Sequence, residues 1–193
     1  MSHDHLNAID ATIAHIPSPG EQFFPPFAVT PELEAQVAEL ITHYPEGRQK
    51  SAILPILHIV QKQFGFINPA SIEWTASQTG VSAAHVLGVV TFYPGLRQKC
   101  PGKFHFRICR TLSCAMSGAE DLFEVICRKT NIDPASINHH EPIGVSPCGM
   151  WSIEQVECLA NCGNGPNVLV NDLLFDKVTP EKVDGIIAKY KQA

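Results

Sequence analysis

The chain has 193 residues, of which 14 are basic and 19 acidic, so its formal net charge is -5 with histidine neutral. Hydrophobic residues make up 45% of the chain, which is enough apolar material for a packed core and argues against disorder. The acidic balance, without a run of Lys or Arg, argues against binding to nucleic acid or to anionic membrane surfaces.

Two further features of the sequence bear on location. The longest stretch without a charged residue, 74–96, contains Ser, Thr, Gln and His, so we expect no transmembrane segment and a soluble protein. The first ten residues, MSHDHLNAID, lack a basic segment followed by an apolar one, which predicts no secretory signal. We therefore expect a cytoplasmic protein.

The first part of the chain predicts an irregular arm followed by helices. Pro17, Pro19, Pro25 and Pro26 disfavour regular structure over residues 1–29. From residue 30 to 95, capping residues and apolar residues at helical spacing predict four helices, which would form a small bundle. The start and stop signals are Thr30-Pro31, Ser51 with Gly65, Asn68-Pro69 with Gly80, and Ser82.

From residue 96 to 193 the pattern predicts a small layered α/β domain, so the whole chain is α+β. Phe104, Phe106 and Ile108 alternate with more polar residues, which predicts a strand. Ser117 and Glu120 have the spacing of a capping box before the next helix. The remaining predicted elements are a loop at 131–150, strands near 151–157, 167–170 and 173–178, and a helix from Thr179-Pro180.

The seven cysteines are an odd number, which does not fit a simple disulfide framework. Four residues separate Cys109 from Cys114, and three separate Cys158 from Cys162. Each pair lies where a predicted strand ends, so the four thiolates converge if those two strands are neighbours. Such an all-cysteine site with four ligands suits a [2Fe–2S] cluster.

The residues beside these cysteines fit a cluster site. Gly163 and Gly165 allow the backbone to approach closely and to turn N–H groups toward the sulfur atoms. Thr111 and Ser113 add hydroxyl donors beside the first pair. Hydrogen-bond donors of both kinds offset the negative charge of thiolates in a partly buried site.

Other cysteine sites compete with this interpretation. A structural zinc site tolerates these spacings, although tight Cys-x-x-Cys pairs are absent from the sequence. A thioredoxin-type dithiol usually needs Cys-x-x-Cys, which the sequence lacks. A Rieske centre needs two histidine ligands, and no Cys-x-His lies near either cysteine pair. Four unrelated buried thiols are disfavoured because we expect all four in polar loops.

We expect the remaining cysteines and the histidines to be packed or solvated residues outside the main cysteine site. Cys127 is expected to pack on its helix, Cys100 lies in a linker, and Cys148 is a spare loop thiol, with a ligand role as the lesser alternative. His139-His140 is expected to be a solvated pair.

The glycines near Cys162 do not form a dinucleotide-binding motif. Gly163-Asn164-Gly165 does not begin G-x-G-x-x-G, because residue 168 is Val. We therefore expect no NADH-oxidising site on this chain.

Several motifs resemble one known family, and they span about residues 30–193. The motifs are SAILPILH at 51–58, TFY at 91–93, RICRTLSC at 107–114, VECLANCGNGP at 156–166, VND at 170–172 and VTPEKV at 178–183. The chain resembles the thioredoxin-like [2Fe–2S] subunit of bacterial NADH–quinone oxidoreductase (respiratory complex I). It differs in a longer 131–150 loop containing Cys148 and in Pro94-Gly95-Leu96 after TFY.

The resemblance implies a function that composition does not show. It implies a thioredoxin-like domain with one [2Fe–2S] cluster held by Cys109, Cys114, Cys158 and Cys162. The partners would be a flavoprotein subunit that binds FMN and NADH and other peripheral-arm subunits, within a quinone-reducing translocase on the cytoplasmic side of the inner membrane. Similar subunits occur in NAD-linked hydrogenases and formate dehydrogenases.

Two functions of other classes remain as alternatives, a freestanding ferredoxin-like carrier and a non-redox zinc scaffold. A carrier would need only the α/β domain, so the helical region of 30–95 is expected to dock a partner.

Overall fold

The computed structural model describes residues 24–191. These residues form two compact units, Phe24–Cys100 and a second unit that begins at Pro101. Most of the predicted arm lies outside the described residues, and residues 25–30 form neither helix nor strand. Within 24–191, no helix is both long and apolar enough to cross a bilayer.

The first unit contains the four predicted helices: α1 (Pro31–Thr42), α2 (Ile53–Phe64), α3 (Pro69–Thr79) and α4 (Ala83–Phe92). The predicted caps at Thr30, Asn68 and Ser82 are confirmed, whereas Ser51 lies in a 3-10 turn before α2 and does not cap that helix. Thr30 Oγ1 accepts a hydrogen bond from the N–H of Leu33 at 3.2 Å, and Asn68 Oδ1 accepts one from Ser71 at 2.8 Å. Gly65 ends α2 in the left-handed region with φ 79°, a conformation that glycine adopts without a Cβ penalty.

The four helices bury their apolar stripes against one another. Ile56, Leu57 and Val60 of α2 are completely buried in the centre of the unit. By contrast, α4 buries only Val86 and Val90, although its sequence AAHVLGVVTF contains no charged residue. This helix therefore keeps apolar surface exposed.

The second unit is a five-stranded mixed sheet with the order β2-β3-β1-β4-β5. Strands β1 and β3 are parallel, and the other neighbouring pairs are antiparallel. A helical bundle followed by this sheet and its helices confirms the α+β class. The elements are β1 (Phe104–Cys109), α5 (Leu112–Met116), α6 (Ala119–Thr130), β2 (Gly144–Val145), β3 (Trp151–Val156), β4 (Val168–Val170), β5 (Leu173–Phe175) and α7 (Pro180–Lys191).

The predicted capping box of Ser117 and Glu120 is wrong. Gly118, with φ 90°, is the N-cap of α6, and no side chain caps that helix. Ser117 Oγ instead donates to the carbonyl oxygen of Ser113 at 2.7 Å. Ser117 is the C-cap of the short helix α5, which the sequence pattern did not predict. The chain must change direction between two consecutive helices, and the left-handed glycine makes that change.

Both faces of β1 are buried, which the alternating sequence did not predict. Phe104, Phe106 and Ile108 belong to the apolar core of the unit. On the other face, His105 is only 3% exposed. Its Nδ1 lies 2.7 Å from Ser152 Oγ and its Nε2 lies 2.9 Å from Glu154 Oε1, so these buried polar groups are hydrogen-bonded to one another.

Candidate iron–sulfur site

The parallel pairing of β1 with β3 brings the two cysteine motifs to the same edge of the sheet. Cys109 is the last residue of β1 and lies opposite Val156, the last residue of β3. Cys158 follows two residues after Val156. The prediction that neighbouring strands deliver both motifs to one edge is confirmed.

The first pair is buried. Cys109 and Cys114 are each 1% exposed, so the expectation that all four cysteines lie in polar loops is wrong for these two. Cys109 ends a central strand, and α5 turns Cys114 inward. Cys109 Sγ lies 3.1 Å from Thr111 Oγ1, which is the hydroxyl predicted to serve the first pair.

The second pair is exposed. Cys158 Sγ and Cys162 Sγ lie 3.6 Å apart, and the N–H of Ala160 donates to Cys158 Sγ at 3.3 Å. Ala160 has φ 58°, which is an uncommon conformation for a residue with a Cβ. The loop therefore accepts local strain while its backbone N–H is directed at the sulfur.

Asn167 connects the two motifs. Its Nδ2 donates to Cys114 Sγ at 3.4 Å and to the carbonyl oxygen of Asn161 at 2.8 Å. Its own carbonyl oxygen accepts from the N–H of Cys109 at 3.1 Å. One buried residue thus contacts both cysteines of the first motif and the loop of the second.

The thiols differ in their tendency to ionise. Burial raises the pKa of Cys109, but hydrogen bonds from Thr111, the Leu159 backbone and Cys114 outweigh it, so the pKa lies below the ordinary value. The hydrogen bond and the negative charge of Cys158 raise the pKa of Cys162. Hydrogen-bond donors therefore favour the thiolate form of Cys109, whereas the neighbouring Cys158 disfavours the thiolate form of Cys162.

In the described part of the chain, no three His, Cys, Asp or Glu side chains gather closely enough to hold a single metal ion.

Comparison with known families identifies the family of this chain. Residues 37–191 match the family described as thioredoxin-like [2Fe-2S] ferredoxin. The chain belongs to the thioredoxin-like [2Fe–2S] ferredoxin family. The match begins inside α1 and ends at the last described residue, so it includes both units and all four paired cysteines.

Named relatives confirm the resemblance found in the sequence. NADH-quinone oxidoreductase subunit 2 of Thermus thermophilus is 34% identical over 151 residues, which are 78% of this chain and 79% of that protein. A subunit of the NADH-quinone oxidoreductase of Rhizobium meliloti is 34% identical over 166 residues, 86% of this chain. The chain spans only 58% of the length of the Rhizobium protein.

A solved structure supports the fold of this family member. An NAD+-reducing [NiFe]-hydrogenase in the air-oxidized state superposes with a TM-score of 0.58 at 13% identity. The likeness covers 73% of this chain and 23% of the hydrogenase chain. At this level of identity it shows a shared fold and no more.

The two predicted glycines have different surroundings in the structure. A Cβ on Gly165 would lie 3.4 Å from Cys114 Sγ and 3.2 Å from Ser117 Oγ, whereas one on Gly163 would meet nothing within 4 Å. A side chain at 165 would thus be in tight contact with Ser117 and in contact with Cys114, whereas the space beside Gly163 is open.

The remaining cysteines differ in their surroundings. Cys127 is completely buried in α6, and its burial, with smaller contributions from Asp133 and Glu124, raises its pKa to about 11. Cys148 is exposed, and its Sγ lies 3.4 Å from Ser146 Oγ. Cys100 is half-buried in the first unit, and burial raises its pKa.

The rings of His139 and His140 stack on each other in an exposed loop.

Sequence reasoning missed Asn167 and Ala160. An Asn at the start of a short strand carries no individual signal, because its role depends on partners 6 and 53 residues away. The spacing of Asn161, Asn164 and Asn167 was the available clue, since the three amides form one hydrogen-bonded chain.

Proposed function

We propose that Cys109, Cys114, Cys158 and Cys162 hold one [2Fe–2S] cluster. The observation that carries this proposal is the parallel pairing of β1 and β3, which delivers two cysteine pairs to one edge of the sheet. Membership of a [2Fe–2S] ferredoxin family supports the choice of cofactor.

The residues present fit such a cluster. All four candidate ligands are thiols, which are the ligands that iron–sulfur clusters prefer. Gly165 leaves space beside Cys114 that a Cβ would restrict. N–H groups of Ala160 and Asn167 and the hydroxyl of Thr111 lie beside three of the sulfur atoms, where they can offset negative charge.

The protein environment differs between the two halves of the site. Cys109 and Cys114 are enclosed by the sheet and by α5, whereas Cys158 and Cys162 lie at the surface. When bound, the cluster would supply one-electron transfer. The buried pair anchors the site, and the exposed pair leaves a short path to a redox partner.

The corresponding biological role is that of an electron-transfer subunit in an NADH–quinone oxidoreductase. Two relatives at 34% identity are named as subunits of that complex. The redox partner would be a flavoprotein subunit that binds FMN and NADH, with the complex attached to the cytoplasmic side of the inner membrane. The chain itself would carry the electron without oxidising NADH.

A subunit of an NAD-linked hydrogenase or formate dehydrogenase is the alternative within the same chemistry. The fold likeness to an NAD+-reducing hydrogenase is compatible with it. The names of the relatives at higher identity favour the quinone-reducing complex. Tagging the chain in its native host and identifying the co-purifying subunits would separate the two assemblies.

The cofactor is tested by metal and sulfide analysis of the anaerobically purified chain. We expect iron and acid-labile sulfide in equal amounts, about two of each per chain, with visible absorption. Zinc without sulfide would contradict the proposal and support a structural metal site. Co-purification of a quinone-reducing complex would support the assembly, and isolation of the chain alone with its cluster would support a freestanding carrier.

A further inference from the structure

Asn167 lies at the centre of a hydrogen-bond network that includes the candidate ligands. It is 1% exposed, so each of its polar atoms needs a partner within the protein. Nδ2 donates to Cys114 Sγ and to the Asn161 carbonyl, and Oδ1 accepts from Asn161 Nδ2 at 2.9 Å. Exchanging the amide nitrogen and oxygen would place two oxygen atoms against each other, so this network fixes the direction of the amide.

The two N–H bonds of the amide have separate roles. One N–H is held by the Asn161 carbonyl at 2.8 Å and fixes the loop that contains Cys158 and Cys162. The other is directed at Cys114 Sγ at 3.4 Å, inside the buried half of the site. Because water is excluded there, a single donor to sulfur has a larger electrostatic effect than it would have at the surface.

We propose that Asn167 is a positioning residue that raises the reduction potential of the cluster by donating a hydrogen bond to the sulfur of Cys114. This inference rests on the cluster proposed above. Reduction adds one negative charge to the site, and N–H donors to the sulfur atoms stabilise the more negative state. Removing the donor therefore makes reduction harder.

The test is an EPR-monitored redox titration of the purified full-length chain carrying Asn167→Leu, a neutral substitution of similar size. We expect the equilibrium constant for reduction to fall about tenfold, which for one electron is a shift of about 59 mV to more negative potential. Asn167→Ala is the second variant, because it imposes no steric demand, and we expect a shift in the same direction.

Asn161→Ala is the matched control. It removes the side chain that donates to Asn167 Oδ1 but keeps the Asn161 carbonyl and the N–H donated to Cys114. If Asn167 only supports the loop, the control would change thermal stability and reduction potential in the same way as both variants at 167. We expect the control to keep a potential close to that of the wild type.

The outcomes separate this inference from the cluster proposal. A wild-type chain without iron and sulfide would contradict the cluster itself. Normal iron and sulfide with an unchanged potential in both Asn167 variants would contradict only the donor role. An equal shift in Asn161→Ala, or loss of the cluster from both Asn167 variants, would assign Asn167 to loop support instead.

Discussion

Cys109 lies directly opposite Val156 in the parallel pairing of β1 with β3. This register places the carboxyl ends of both strands at one edge of the sheet, and Cys158 follows two residues later. Because parallel strands need a long crossover, the 41 residues between β1 and β3 can include α5, which carries Cys114. The topology therefore assembles a site from cysteines that are far apart in the chain.

The two glycines beside Cys162 provide a matched pair of variants. Gly165→Ala would place a Cβ 3.2 Å from Ser117 Oγ and 3.4 Å from Cys114 Sγ, whereas Gly163→Ala would meet no atom within 4 Å. We expect Gly165→Ala to lower the free energy of unfolding by about 1–3 kcal/mol, as overpacking does, and to reduce iron content. Chemical denaturation and iron analysis would measure both effects, and equal behaviour of the two variants would show that the site accommodates a Cβ at residue 165.

Burial of Cys127 predicts a pH dependence of stability. Its pKa is raised to about 11 from 9.0, so between these values the unfolded chain releases the proton and the native chain retains it. The stabilisation is complete below about pH 9 and is lost as the pH rises through the folded pKa. We expect Cys127→Ala to show a weaker fall in unfolding free energy over this range than the wild type.

Cys148→Ala is the control for that experiment. Cys148 is exposed, so its removal should leave the wild-type pH profile of the unfolding free energy unchanged. If the profiles of the wild type and Cys127→Ala coincide between pH 9 and 11, the thiol of Cys127 is not held in its protonated form by burial.

The helical region remains our predicted docking site for the flavoprotein. Phe92 is 75% exposed, and its ring contacts that of Tyr93 with centroids 5.0 Å apart. Exposed apolar groups of this kind mark protein interfaces. We expect Phe92→Ser to weaken capture of the flavoprotein at least tenfold in pull-down titrations, with little change in stability because the side chain is exposed.

An exposed leucine in the other unit provides the comparison. Leu174 on β5 is 44% exposed, and we expect Leu174→Ser to leave capture unchanged. Undiminished capture by Phe92→Ser, or loss of capture by Leu174→Ser alone, would move the interface from the helical region to the sheet.

Local signals made the helical unit predictable from sequence. Thr30 and Asn68 accept hydrogen bonds within three residues, and Gly65 ends its helix through its own backbone conformation. Such features require no knowledge of distant parts of the chain. The two-residue strand β2 was missed because it exists only through its pairing with β3.

The site was only partly predictable. The cysteine spacing predicted which thiols meet at the sheet edge, and the pairing of β1 with β3 agrees. The unequal burial of the two pairs could not be read from sequence, because Cys109 ends a strand covered on both faces. Asn167 was missed because its contact with Cys114 joins residues 53 apart. Assignment of the four cysteines as ligands remains a prediction.

The most direct test of that assignment is the visible absorption and iron content of single Cys→Ser variants, purified anaerobically under identical conditions. Cys158 and Cys148 are the decisive comparison because both thiols are exposed. We predict that serine at 109, 114, 158 or 162 removes or severely destabilises the cluster, and that serine at 100, 127 or 148 leaves it in place. Loss of the absorption band in Cys148→Ser, with retention in Cys158→Ser, would contradict the proposed site.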